Sequence, residues 1–177
     1  MKLVVCPLQA VGAQVRRHRP AAVVTLLAPD QPGPRLDPAL PSLRLSFHDV
    51  PAAHPALTAP DAAAIASLLE FAAALPPEAT LLAHCWMGIS RSPAAAYILA
   101  CAASPAVSEE TIARRLRAAA PSATPNLLMV KLADAHLGRD GRMVDAILRL
   151  GRGADAQIGP PFAFETIHRP DDREPRP

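Results

Sequence analysis

The chain is 177 residues long, with 50% apolar residues but only 3% aromatics, enough for one domain whose core is built from Leu, Val, Ile and Ala. Its 37 alanines and 21 prolines, without period, exclude collagen, coiled coil and bulk disorder and imply many short elements. Eighteen basic against 16 acidic side chains leave a formal charge of +2, which excludes the strongly basic surface of a dedicated nucleic-acid binder.

Met1-Lys2 followed by the apolar run Leu3 to Leu8 imitates a signal peptide, but Pro7 and Gln9 cut the run, which reads instead as a short strand. Gln9 to His18 is a predicted helix, with Arg16, Arg17 and His18 suited to the negative end of its dipole and Pro20 as its stop. Ala22 to Leu27 is apolar and β-branched without alternation, as expected of a strand covered on both faces in a parallel sheet. Residues 29–41 hold five prolines and a glycine and form a loop. Leu43 to Phe47 then alternates as a strand with one wetter face, and His48-Asp49-Val50 leaves it.

Thr58 and Asp61 have the spacing of a capping box, and Ile65, Leu68, Leu69 and Ala72 share a face of the helix that follows, up to Pro76-Pro77. Thr80 to Ala83 is another short strand. It runs into the segment His84 to Ser92 and then an alanine-rich helix from Pro93 to about Ala103. Ser108 caps a helix from Glu109, Pro125 suits a first helical position with Gly138 as the stop, and Met143 to Leu150 forms a last helix. From Arg152 the chain is rich in Gly, Pro and charge, and His168 to Pro177 reads as a frayed tail. The expected organisation is a domain over 1–151 and a partly disordered extension over 152–177.

Three cysteines, Cys6, Cys85 and Cys101, are odd in number and lack C-x-x-C spacing, so neither a disulfide framework nor a zinc site is indicated, and free thiols suit the cytoplasm. The longest uncharged stretch, Ser92 to Ser108, is interrupted by Pro93 and Pro105 and is shorter than the roughly 20 residues of a membrane helix.

Chemistry is concentrated in Cys85 to Arg91, a cysteine and an arginine five residues apart, between a strand and a helix. A loop closed at a helix N-terminus turns backbone N–H groups inward and adds the helix dipole, which makes a nest for a tetrahedral anion such as phosphate. Gly88 relaxes the backbone of so tight a loop, and Arg91 has a forked donor for two phosphate oxygens. The same positive environment favours thiolate over thiol, and a thiolate beneath a bound phosphate is a nucleophile aimed at phosphorus.

His84-Cys85-x-x-Gly88-x-x-Arg91-Ser92 resembles the signature of the cysteine-dependent protein tyrosine phosphatase superfamily, and the order of elements is most similar to its dual-specificity branch. The resemblance extends over about residues 1–138, with the nine-residue signature as its specific part. It implies Cys85 as the nucleophile forming a phosphocysteine, Arg91 as phosphate clamp and Ser92 as the hydroxyl that helps the thiolate leave. His84 would orient the loop and support the thiolate, and the backbone of Trp86, Met87, Gly88, Ile89 and Ser90 would supply amide donors. The family also needs an aspartate on a separate loop as general acid. Asp49, after the third strand and 36 residues before Cys85, matches that arrangement, whereas its rival Asp61 sits where a helix start wants a carboxylate.

The loop departs from the lipid-phosphatase pattern in having no lysine, and Trp86 and Met87 make it apolar. The remaining candidates have plainer readings: Cys101 as core, Cys6 as core or a redox partner of the loop, His48 as a surface residue beside Asp49. His54, His136 and His168 have no ligand spacing, and Arg114, Arg115 and Arg117 form a solvated, dipole-favoured face, with a secondary anion site as the other reading. The expected fold is a single α/β domain, a small central and mostly parallel sheet flanked by helices, with the phosphatase loop between the last strand and its helix. The expected activity is hydrolysis of a phosphorylated protein or small phosphomonoester without metal or organic cofactor, nucleic acid or membrane. A phospho-binding pseudoenzyme and a rhodanese-like sulfurtransferase stay open. Sixteen arginines against two lysines suit a GC-rich, bacterial source as well as a chemical need for forked donors.

Overall fold

The computed structural model describes residues 1–166, so the tail read from His168 onward lies outside the described residues. Five strands form one sheet in the order β3-β2-β4-β1-β5, from β1 (Lys2–Pro7), β2 (Ala22–Leu27), β3 (Ser42–Ser46), β4 (Thr80–Cys85) and β5 (Phe162–Glu165). The first four are parallel, and β5 adds antiparallel to the free edge of β1 with Val5 opposite Phe162.

Right-handed crossovers decide where the helices go. From β1 the chain passes through α1 (Val11–His18) and across β4 to reach β2; from β3 it passes through α2 (Ala62–Ala73) in the opposite lateral direction to reach β4. The two helices therefore cover opposite faces. On the α1 face Val4, Cys6, Val23 and Leu82 pack with Val11. Leu3, Val5, Val24, Leu26, Leu81 and Ala83 point the other way, into a larger core shared with α2, α3 (Arg91–Ala103), α4 (Glu109–Ala119), α5 (Leu127–His136) and α6 (Arg142–Leu150). Helix α3 is at its centre and is apolar all round, eleven of its residues being buried, which is why its sequence shows no polar stripe. The α5–α6 corner is fixed by buried Asp134, whose carboxylate accepts from the backbone N–H groups of Gly141, Met143 and Val144 and so caps α6 from outside it.

Most element positions follow the sequence, with local corrections. Asp61, not Thr58, is the N-cap of α2, accepting from Ala64 N at 2.8 Å, and α3 begins at Arg91 rather than Pro93. Asn126 caps α5, so Pro125 precedes the cap instead of opening the helix. The loop is followed by a helix after β4 as expected, but β4 is not the last strand. Residues 162–165 belong to the sheet, so the boundary expected at 151 does not separate the following segment from the domain. Four residues of mixed pattern among Gly, Pro and charge are too short for a strand signal; they are recruited because β1 exposes an unpaired edge. The segment is tied down at Thr166, whose N–H donates to Met1 O at 3.0 Å. Arg115 lies over the Phe164 ring at 5.9 Å from its centroid, and Arg117 donates to the carbonyls of Leu150, Ala123 and Gly151. These two arginines hold the C-terminal segment, and only Arg114, paired with Glu110, keeps to the expected solvated face.

Phe164 is 4% exposed and joins the larger core from β5. Phe164→Ala is expected to lower the unfolding free energy in urea by about 3 kcal/mol. A loss below about 0.5 kcal/mol would mean that β5 lies outside the cooperative unit.

Candidate active site

Strands β1 and β4 are neighbours whose following helices leave to opposite faces, so their carboxyl ends open a crevice, the usual ligand position in an open α/β sheet. Cys85 ends β4 there, and the seven-residue loop Cys85–Arg91 closes onto the start of α3. Cys85 Sγ accepts from Gly88 N at 3.2 Å and from Ser92 Oγ at 3.1 Å. Gly88 has φ +72°, and a Cβ on it would lie 2.8 Å from Pro7 N and 3.1 Å from Cys6 C, so glycine is required both for the turn and for contact with the end of β1.

Four loop carbonyls have partners outside the loop. Trp86 O accepts from Leu8 N, Met87 O from Gly159 N, Ile89 O from Thr124 N and Ser90 O from Asn126 N. Because every peptide among the described residues is trans, a carbonyl turned outward directs the next N–H inward. The N–H groups of Met87, Gly88, Ser90 and Arg91 are thereby aimed into the loop, as the Gly88-to-sulfur bond displays.

Arg91 is 4% exposed and donates through Nη1 to Phe47 O at 2.8 Å, while its Nε has no hydrogen-bond partner among the described residues and lies 3.8 Å from Asp49 Oδ2. Asp49 Oδ1 accepts from Ser90 Oγ and from Asn126 Nδ2, each at 2.7 Å. Its segment is closed by His48, whose N–H donates to Thr58 O at 2.7 Å and whose Nδ1 accepts from Thr58 N at 3.1 Å. Asp49 thus lies at the loop, whereas Asp61 is occupied as the α2 cap.

His84 is fully buried on the α1 face, with Nε2 2.8 Å from Thr25 Oγ1. Burial, together with repulsion from Arg44 and Arg91 and partly offset by the Cys85 backbone, pushes its pKa down to about 4, so the imidazole is neutral and rigid behind the loop. Burial pushes the Cys6 and Cys101 thiols up to about 12, leaving both as unreactive core groups. Strand alternation puts Cys6 on the α1 face and Cys85 on the other, an arrangement that does not aim them at each other. Trp86 is 43% exposed at the rim, and Met87 is half-buried. Among the described residues no three His, Cys, Asp or Glu side chains converge as a metal set, and no helix is long and apolar enough to cross a membrane.

Sequence reasoning missed Asn126. Besides Asp49, its Nδ2 reaches Val50 O at 3.1 Å, and its Oδ1 accepts from Met129 N at 3.0 Å. An asparagine before a helix signals a cap; nothing in its neighbourhood signals that the same side chain holds an aspartate 77 residues earlier.

No family model and no curated protein matches the sequence. Solved structures do match the fold. Human DUSP28 is 23% identical with a TM-score of 0.59, over 77% of this chain and 88% of its own. DUSP15 is 16% identical with a TM-score of 0.62, over 84% and 89%. A mouse putative dual specificity phosphatase, complexed with zinc tungstate, is 23% identical with a TM-score of 0.55, over 82% and 86%. The fold is that of the dual-specificity phosphatases.

Neutral burial of His84 has a consequence for stability. The native ring takes up its proton near pH 4 and the unfolded ring near 6.5, so the unfolded chain binds more protons between these values. Stability contributed by this group is present above about pH 6.5 and is lost as pH falls toward 4, by about 3 kcal/mol at most. His84→Asn is expected to flatten that part of the profile in urea unfolding. Equal acid sensitivity in wild type and variant would refute the assignment.

Proposed function

We propose that this chain is a cysteine-dependent phosphomonoesterase of the dual-specificity type, acting on a phosphorylated protein or a small phosphomonoester through a phosphocysteine. The observation that carries the reading is the Cys85 sulfur held by Gly88 N–H and Ser92 Oγ inside a loop whose N–H groups converge. Arg91 at the helix start and Asp49 on a separate segment complete the constellation. A tetrahedral dianion fits it: inward N–H groups and the buried Nε of Arg91 are donors, and the α3 N-terminus adds positive potential.

In the first displacement the Cys85 thiolate attacks phosphorus; the S–P bond forms as the P–O bond to the leaving group breaks. Asp49 in its acid form gives its proton to the departing oxygen. Ser90 and Asn126 both donate to Oδ1, so in this mechanism Oδ2 is the oxygen that carries the transferred proton. In the second displacement Asp49 takes a proton from water, the new P–O bond forms, and the S–P bond breaks. Ser92 Oγ–H then receives the returning thiolate. Throughout, Arg91 and the loop amides stabilise charge on the three equatorial oxygens. His84 orients the loop from behind without exchanging a proton. The absence of a lysine from the loop favours protein or simple phosphomonoesters over inositol phosphates.

Hydrolysis of an aryl phosphate, with reductant and without added metal, tests the roles. Cys85→Ser and Arg91→Ala are expected to lose roughly 10⁴-fold or more in kcat/KM, and Asp49→Asn roughly 10²- to 10⁴-fold in kcat. Asp61→Asn is expected to keep its activity. Asn126→Ala, which frees Asp49, is expected to lower kcat about ten-fold with a smaller change in KM. A wild type that binds vanadate yet hydrolyses neither aryl phosphate nor phosphopeptides would make the loop a binding module and end the catalytic reading.

A further inference from the structure

The segment between α6 and β5 does more than connect them. Gly153 N donates to Thr124 Oγ1 at 3.1 Å and Ala154 N to Pro121 O at 2.9 Å, which lays the chain along the stretch preceding α5. Residues 154–158 are exposed, and at Gly159 the chain becomes buried against the back of the Cys85–Arg91 loop. Gly159 N donates to Met87 O at 2.9 Å. A Cβ on Gly159 would lie 2.7 Å from Gly88 O and 3.1 Å from Gly88 C, so the two backbones touch. Two prolines then lead into β5, which is held to β1.

The peptide unit gripped by Gly159 is Met87–Gly88. Its carbonyl takes the Gly159 proton on the outside, and its N–H reaches the Cys85 sulfur at 3.2 Å on the inside. A planar trans peptide cannot turn one end without the other. Gly88, at φ +72°, has the freedom to rotate that unit, and the strap beyond α6 is what opposes rotation.

We propose that this C-terminal strap is part of the catalytic machinery: Gly159 is a positioning residue for the nucleophile, holding the Met87–Gly88 peptide so that Gly88 N–H stays on the Cys85 thiolate. The inference rests on the reading of Cys85 as nucleophile. A hydrogen bond to a charged acceptor is among the stronger ones, so its misdirection deprives the sulfur nucleophile of a stabilising donor. The same rotation would turn a carbonyl dipole toward a bound phosphate, so strap and anion favour the same peptide orientation.

The test is alkylation of Cys85 by iodoacetamide at neutral pH, which needs no substrate, with Cys85→Ser showing that the label is on that residue. Gly159→Ala retains the N–H but forces the strap off Gly88. It is expected to slow alkylation about ten-fold and to weaken competition by inorganic phosphate to a similar degree. Val23→Ala, destabilised in the core of β2 on the α1 face, is expected to alkylate at the wild-type rate, which separates positioning from general loss of stability. If Gly159→Ala fails to fold, a short Gly-Ser insertion after Ala156 slackens the strap while leaving β5 in place, and the same slowing is expected. A folded Gly159→Ala or insertion variant with wild-type alkylation and phosphate competition overturns the proposal. Strap-dependent alkylation in a protein that hydrolyses no phosphoester would uphold the strap's role and defeat the phosphatase reading; hydrolysis unaffected by Gly159→Ala would do the reverse.

Discussion

The site depends on the orientation of a few peptide planes. A seven-residue loop between a strand and a helix has no ladder of its own, and its N–H groups converge only if its carbonyls are drawn outward. Leu8, Gly159, Thr124 and Asn126 supply the four donors that do this, from three places in the sequence. Converging N–H dipoles repel one another. The surrounding backbone holds them together, so their convergence is set by the fold.

The sheet brings those donors to one place. Placing β4 between β2 and β1 lets the chain leave adjacent strands toward opposite faces and opens the crevice at their carboxyl ends. The faces are unequal: α1, the turn before it and Leu36 and Leu40 of the 29–41 loop cover one, while five helices cover the other, with α3 buried at their centre. The loop therefore ends in a helix most of whose residues are buried. His84 rests on the thinner side, where Thr25 and the α1 layer exclude water and keep its ring neutral.

The specific part of the site was legible because its chemistry is local. Nine consecutive residues contain the cysteine, the arginine, the turn glycine and the hydroxyl, and the strand and helix around them follow from apolar runs and proline stops. Asp49 was legible only by its place after a strand, and Asp61 was separable from it because a carboxylate at a helix start has a capping explanation. What stayed hidden was non-local. Asn126 looked like a cap, which it is, while its bond to Asp49 spans 77 residues. The β5 strand and Gly159 had no signal in a Gly/Pro-rich stretch, because β5 exists through the open edge of β1 and Gly159 through the lack of room beside Gly88. Arg115 and Arg117 read as solvated because periodicity places a side chain on a face but not what later covers that face.

Trp86, the only tryptophan in the chain, stands half in solvent at the rim of the loop, while Tyr97 is fully buried in α3. Indole emission therefore reports on the loop's immediate surroundings and not on the core. An indole already 43% exposed gains less water on unfolding than a buried one would, so tryptophan fluorescence is a less sensitive gauge of denaturation here. The same exposure makes it an optical sensor for whatever settles over the loop.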